Sequence, residues 1–574
     1  MGDARRGTLA PMATNLGDHP ADEPTKRRRL GEMRLFGVLR LLLHIGALGG
    51  LALAVVASSI AEPYFTRGVA TGNDWHPILW TTGNPMAVNT FLNEEPDPQV
   101  VEQSLDMIRD GGFGMIRQLF GWFEIEPEPG VFVDAQGNST WAKYDRIVDA
   151  AAERGIQILA RLEKPPAWAL EGQPNPEIEG PPDDLNDYGA FVERVVERYR
   201  GRVQFVQIWN EPNLEGEWGG GPIDPPAYVE LLKVGYEAAK RADPAVVVVM
   251  AGLAPTDQLG PSNLSDLLFL QQMYDAGAAD YFDIAAAMVY GYGYSPYDRR
   301  VDFKRNNFSR PIQSREIMVR NGDADTPLWA VEYGWVSLPE DWDGHDSPWG
   351  TPVSEQKQAE YLVDGYLRAQ REWPWMGRMA VWSFRFPRGP DAPDQVGNPT
   401  QGFAIVQNDF TPRPAYLALQ RAAGVIQADG TGSYRFTDSQ VDALSDGESI
   451  TLRVRGQRVD LVAGGDGVFD VQLDAGGTRT VTLNANGRAR LASELGDNVH
   501  DITLRLSDST DAAQVAPIGY VVSSGTIHSW IYPWINAALA VTIALNLASI
   551  WWMVSDYRQR RRTQANEPEA VGEL

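Results

Sequence analysis

From Met86 onward the chain alternates two textures. Short apolar runs at 86–92, 113–120, 156–165, 203–209, 245–255, 282–293, 327–335 and 378–386 read as strands. Between several of them (98–110, 141–155, 187–201, 226–242 and 354–372) apolar residues fall three and four apart, the spacing of one helix face. A strand that is apolar throughout is covered on both sides, and strand alternating with helix forces parallel crossovers. Eight such units fit a (β/α)₈ barrel of the α/β class better than an open doubly wound sheet. No GxGxxG or Walker sequence follows any strand, which also counts against a nucleotide-binding sheet.

After Asp429 the period drops to two. Segments 432–438, 449–464, 467–476, 478–487 and 499–508 alternate apolar and polar residues between Gly or Asp turns, predicting a C-terminal antiparallel β-sandwich. Two further runs, 41–60 and 531–554, are apolar enough and long enough to cross a bilayer. Trp530, Tyr532, Trp534, Trp551 and Trp552 stand at the ends of the second, where interfacial aromatics belong. Lys26 to Arg29 and Arg34 precede the first run; Arg558 and Arg560 to Arg562 follow the second. Basic flanks of this kind predict both termini in the cytoplasm and everything between outside the cell membrane. A cleaved signal peptide is the other reading of the first run, but its length favours an anchor. Gly46 and Gly50 form a GxxxG spacing that would pack the two helices together. The expected organisation is a disordered terminus 1–34, a transmembrane helix 35–60, a barrel 61–428, a sandwich 429–525, a transmembrane helix 530–554 and a tail 555–574.

Composition narrows the function. A formal charge of −26 over 574 residues argues against nucleic acid as a partner, since phosphate binding needs a basic footprint. The chain has no cysteine, which removes disulfides, thiol nucleophiles and thiolate metal sites. Its 6 histidines show no HExxH-type spacing, so neither a metal nor a cofactor is expected.

The chemistry concentrates at strand ends, where barrels place their reacting groups. "VQIWNEPN" ends the fourth strand with Asn210 and Glu211; "LWAVEYGW" puts Glu332 at the matching place on the seventh. One such Glu is ordinarily a solvated strand-end residue. Two on opposite sides of one mouth, with Trp209, Trp218, Tyr333 and Trp335 beside them, supply what glycosidic cleavage needs: a proton donor for the leaving oxygen and an anion facing the anomeric carbon.

With "QIWNEPN", "WAVEYGW", "MIRQ" on the second strand and "AVWSF" on the eighth, the chain resembles a retaining glycoside hydrolase of clan A, near families 39 and 5. The resemblance implies Glu211 as acid/base and Glu332 as nucleophile. It implies that Asn210 binds the sugar 2-hydroxyl, Arg117 helps hold Glu332 ionised, Tyr290 donates a hydrogen bond to Glu332, and Trp382 floors the reacting sugar. Trp335 and Trp218 complete the expected substrate-binding set. Met288 stands where many relatives have histidine, and "ARLEKPPAW" where several have another, so Glu163 or Lys164 would fill part of that gap. Loops 290–300 and 340–350, rich in aromatics, are expected to form the cleft, while Glu126, Pro127 and Gly130 fix a turn. The expectation is a membrane-anchored glycosidase whose partners are extracellular carbohydrate and the bilayer. A glycan-binding surface protein without turnover and a transglycosylase remain alternatives. The sandwich, lacking a cluster of exposed tryptophans, reads as a spacer rather than a binding module.

Overall fold

In the computed structural model, which describes residues 23–68, 76–172, 180–389, 392, 395–524 and 532–565, the eight apolar runs become eight strands: β1 Met86–Thr90, β2 Met115–Gly121, β3 Gln157–Glu163, β4 Phe205–Ile208, β5 Val247–Val249, β6 Ala285–Tyr290, β7 Leu328–Gly334 and β8 Met376–Val381. All pair in parallel in the order β5-β4-β3-β2-β1-β8-β7-β6. Parallel bridges Val249 to Ile284 and Leu253 to Ala287 join β5 to β6 and close the barrel. Every residue of β1, β4, β5, β6 and β7 is buried, which is why these strands read as largely apolar runs.

The five helices expected from the pattern form at Pro98–Asp110, Ala142–Glu153, Leu185–Arg198, Pro225–Ala242 and Glu355–Glu372. Three more complete the outer ring at Asp266–Asp275, Pro311–Arg320 and Pro414–Ile426. Side chains cap the starts of two of these helices. Asp97 accepts from Gln99 N and Asp184 from Asn186 N, satisfying donors that a helix start leaves free.

The sandwich has two four-stranded antiparallel sheets. Its strands are β9 Gly432–Arg435, β10 Ile450–Val454, β11 Arg458–Gly465, β12 Val468–Leu473, β13 Thr478–Thr482, β14 Arg488–Ser493, β15 His500–Leu506 and β16 Val515–Ser523. The sheet orders are β10-β15-β12-β13 and β14-β11-β16-β9. Tyr434, Leu461, Phe469, Leu491, Ile502 and Leu504 lie in the core between them. No large apolar side chain is exposed on the sandwich among the described residues. It fastens to the end of helix Glu355–Glu372: Thr431 N donates to Gln370 O (2.7 Å), and Arg455 reaches Leu367 O (3.2 Å) and Gln370 Oε1 (3.3 Å). That helix end leads directly into the start of β8, so the sandwich sits at the base of the barrel, away from the mouth.

A separate unit contains the two apolar helices, Glu23–Thr66 as far as Pro63 and Tyr532–Ala565. Their membrane-length segments are Gly37–Ile60, of mean hydropathy 2.1, and Trp534–Gln559, of mean hydropathy 1.8. The first helix begins well before the expected residue 35. The least exposed positions are Gly37, His44, Leu48, Leu51, Val55 and Ser58 on one helix and, up to residue 550, Ile535, Leu539, Thr542, Asn546 and Ser549 on the other. Steps of three, four or seven are the period of a left-handed helix pair. Ser549 Oγ meets His44 Nε2 at 3.2 Å within this seam. Gly46 and Gly50 lie off it, exposed and with nothing near their Cβ positions, so the GxxxG spacing does not make the contact. Residues 1–22, Trp530 and 566–574 lie outside the described residues.

Candidate active site

One arginine organises the mouth of the barrel. Arg117, midway along β2 and 2% exposed, donates through Nη1 to Glu332 Oε1 (2.7 Å) and Asn89 Oδ1 (2.9 Å). Its Nη2 donates to Asn210 Oδ1 (2.7 Å) and its Nε to Gln207 Oε1 (2.7 Å). Four acceptors from β1, β4, the turn after β4 and β7 therefore converge on one planar, permanently charged group. The bond to Asn210 places the residue before Glu211 across the barrel from Glu332, at the other end of the same guanidinium.

Glu332 is 4% exposed and accepts a bond on each oxygen, because Tyr290, at the end of β6, donates its hydroxyl to Oε2. Burial, then the charges of Glu332 and Glu211, push the Tyr290 phenol well above its usual range, so it remains a proton-bearing donor.

Glu211 is set differently. The chain leaves β4 through two non-glycine residues in the left-handed region, Trp209 (φ 71°) and Glu211 (φ 38°). Such conformations cost on the order of 1 kcal/mol each and need surroundings that enforce them. Those surroundings are present: Glu211 N donates to Gly252 O (3.1 Å), and Trp209 Nε1 to Glu217 O (3.0 Å). Buried Asn213 donates to Ala254 O and Leu264 O and accepts from Ala254 N, each at 2.9 Å. Gly252 has no room for a side chain, since a Cβ there would lie 2.5 Å from Val331 Cγ2. Glu211 keeps partial exposure at the mouth. Burial, then the charges of Glu332 and Glu217, drive its carboxyl well above the usual range; Arg117 and Arg161 oppose this without reversing it. The site thus holds a proton-bearing carboxyl beside a carboxylate paired to arginine.

The aromatic wall is partly as expected. Trp382, just beyond β8, keeps part of its ring exposed and meets Phe91 edge-on at 5.4 Å. Phe403 packs on Tyr290 at 5.3 Å, and Trp349 from loop 340–350 lies 5.1 Å from Phe403 and 6.2 Å from Tyr290. Loops 290–300 and 340–350 lock together: Cβ atoms on Gly293 and Gly350, both at positive φ, would strike Thr351 O and Tyr292 O. Met288 joins this apolar cluster with Tyr290, Val336 and Phe403.

Two expected aromatics are elsewhere. Trp335 is 1% exposed, bonded through Nε1 to Tyr294 O (2.7 Å) and packed on Phe308 and Tyr361 outside the barrel wall. Side chains alternate along a strand, and an odd step from Glu332 turns Trp335 toward the helices. Trp218, 6% exposed, packs edge-on against Trp209 and Tyr228 and shapes the loop. Neither has a ring face free for a sugar. Glu163 likewise has no solvent-reached oxygen to offer a hydroxyl, while Lys164 is half-buried. Glu126 does fix its turn, accepting from Gly130 N (2.8 Å) and Trp122 Nε1 (2.9 Å). The expectations did not include Asn89, Gln207, Phe91, Trp349 or Phe403. Asn89 and Gln207 carried a signal, as polar residues inside otherwise apolar strands.

Residues 80–258, from just before β1 to just past β5, match the family model described as Cellulase (glycosyl hydrolase family 5); the match includes Glu211 and stops short of Glu332. Among solved structures the chain is similar to a family 39 glycoside hydrolase from the gut symbiont Bacteroides cellulosilyticus WH2, at 21% identity over 74% of this chain and 81% of that one, with a TM-score of 0.46. It is also similar to a glucosidase from Croceicoccus marinus (15%, 75% and 97%, TM-score 0.44). A family 39 β-xylosidase from Caulobacter crescentus is a third (16%, 75% and 98%, TM-score 0.41). No curated protein matches the chain.

Proposed function

We propose that this chain, whose residues 80–258 match the family 5 glycosyl hydrolase model, is a glycoside hydrolase of the clan A type that cleaves O-glycosidic bonds of extracellular oligo- or polysaccharide by double displacement with retention. The observation that carries the reading is the shared guanidinium of Arg117, which binds Glu332 and the residue next to Glu211 in one plane of hydrogen bonds. In the first step Glu332 attacks the anomeric carbon while Glu211 gives its proton to the leaving oxygen. The Glu332 charge is then consumed in the glycosyl ester, which lowers the Glu211 pKa and frees it to take a proton from the incoming water. Asn210, its Oδ1 held by Arg117, has its amide NH₂ available for the 2-hydroxyl. Trp382 forms the floor. Water as acceptor makes a hydrolase; an acceptor sugar on the same residues makes a transglycosylase.

Both apolar helices are assigned to a membrane, with the barrel outside. Because the chain has no cysteine, one cysteine placed at exposed Ser509 gives a clean test on intact cells. It is expected to react with an impermeant maleimide, and protection until the cells are lysed would reverse the topology. For the chemistry, an activated aryl glycoside that the protein turns over is followed by proton NMR from the first minutes. The first sugar released is expected to keep the substrate's anomeric configuration, whereas inversion would reject double displacement.

A further inference from the structure

A second hollow lies behind the aromatic wall, on the face of the barrel that carries Glu211 and Glu332. The chain just beyond β7, the starts of helices Glu355–Glu372 and Pro414–Ile426 and part of the segment after β8 enclose about 650 Å³. That size falls within the range of small-molecule sites, roughly 300–1,000 Å³. Neither carboxylate of the proposed pair lines it, nor do Tyr290 and Trp382. Leu338 forms the partition, lining the hollow while packing on the cluster of Met288, Tyr290, Val336 and Phe403. Gly402 lets the partition close up, since a Cβ there would lie 2.8 Å from both Leu338 Cδ2 and Val336 Cγ2. A sugar in this hollow is therefore not the one that reacts at Glu332.

The lining suits a carbohydrate. Trp342 supplies a half-buried ring, and among the described residues no other ring packs on it. The indole is held in place. Its Nε1 donates to His345 O (3.0 Å), and a Cβ on Gly344 would lie 2.5 Å from Trp342 Cζ2 and 2.6 Å from Gly397 Cα. Exposed Glu340 and Gln407 also line the hollow, and among the described residues no protein group engages either side chain. An aromatic face stacks on the C–H face of a sugar ring, while carboxylate and amide groups take up its hydroxyls.

Charge selects among sugars. Arg413, the one cation that lines the hollow among the described residues, is committed to Glu355 Oε1 (2.8 Å) and Ala404 O (2.6 Å). Glu340 has no such counterion, so an anionic sugar would meet net negative charge there and an uncharged one would not.

We propose that this hollow is an accessory sugar-binding site, which takes an uncharged residue of the glycan away from the bond being cleaved. The inference rests on the glycosidase reading for its consequence, a preference for long substrates. It gives Trp342, rather than Trp335 or Trp218, the task of stacking on sugar outside the catalytic centre.

The test compares two substrates of the same sugar on the full-length protein in detergent: an aryl monoglycoside, too short to reach the hollow, and a neutral polysaccharide. The ratio of kcat/KM for the polysaccharide to that for the aryl glycoside is expected to fall about tenfold in Trp342→Ala, through KM, and to recover largely in Trp342→Phe. An unchanged ratio overturns the proposal, and so does an equal loss on both substrates. Dependence on Trp342 for a uronic acid polymer and for no neutral one would contradict the charge argument. A wild type that turns over neither substrate rejects the glycosidase reading, and calorimetric titration with tetrasaccharides of the gluco, xylo, galacto and manno series then decides the site. Binding that weakens in Trp342→Ala supports it; binding that does not, or none at all, overturns it.

Discussion

Replacing Glu332 with glutamine is expected to lower kcat/KM on the order of 10⁴-fold or more on every substrate, including those with activated leaving groups. The change is nearly isosteric, so the loss reports charge and nucleophilicity rather than space. Its consequences for the fold are bounded by the network. Arg117 loses its carboxylate but keeps Asn89, Gln207 and Asn210 as acceptors. The Tyr290 hydroxyl keeps an amide oxygen if the glutamine turns that atom toward it. The variant is therefore expected to fold, with a circular dichroism spectrum like the wild type and a lower melting temperature. An active Glu332→Gln enzyme would remove Glu332 from the chemistry.

Glu211→Ala is expected to behave in a way no other substitution does. Its cost depends on the leaving group. Substrates with poor leaving groups should lose on the order of 10²- to 10⁴-fold in kcat/KM, the usual range for a general acid. Substrates with strongly acidic phenol leaving groups should keep most of theirs, because no proton is needed to expel them. For these the second step becomes limiting, the glycosyl-enzyme accumulates, and added azide, which needs no general base, should accelerate turnover and yield a glycosyl azide. The pH profile gives an independent sign. Glu211 must be protonated to act as acid, and its pKa lies above the usual carboxylate range. Wild-type activity is therefore retained below that raised value and lost as pH rises through it. In Glu211→Ala that alkaline limb should be absent. Equal losses across leaving groups, with no response to azide, would reject the assignment.

Much of this architecture was legible in the pattern of residues. Six of the eight barrel strands fall within the apolar runs, and β2 and β8 overrun theirs by one and two residues, since a strand covered on both faces has few polar positions to blur it. The helices Asp266–Asp275 and Pro311–Arg320 were less legible because their faces are not well separated. "DLLFLQQMYD" is apolar nearly all round, and "PIQSREIMVR" buries Ser314 and Arg315 along with Ile317 and Met318. Strand β16 was masked by Pro517 and Gly519, residues that weaken a strand reading. Strand β14 was masked by its two arginines, Arg488 and Arg490.

The site divides along similar lines. Glu211 and Glu332 were visible because strand ends in a barrel are a small, known set of places. Trp335 was misplaced because nearness in sequence to Glu332 is not nearness in space when side chains alternate. Arg117 was legible as a partner of Glu332, but its simultaneous hold on Asn210 and Gln207 joins residues about ninety positions away, a relation only the closed barrel creates. Tyr290 and Glu332 were linked in advance only through the resemblance, and the hydrogen bond between them is present.

The most direct test of the account is covalent. The purified protein in detergent is incubated with a panel of activated 2-deoxy-2-fluoro glycosides of the gluco, xylo, galacto and manno series, and its intact mass is recorded. The electronegative fluorine slows both steps, and the good leaving group lets the first proceed, so a glycosyl-enzyme is trapped. The account predicts a mass increase of one fluorosugar on the wild type, carried by the peptide that contains Glu332 and absent from Glu332→Gln. An adduct on another residue, or none with any donor from a protein that still hydrolyses glycosides, would contradict it.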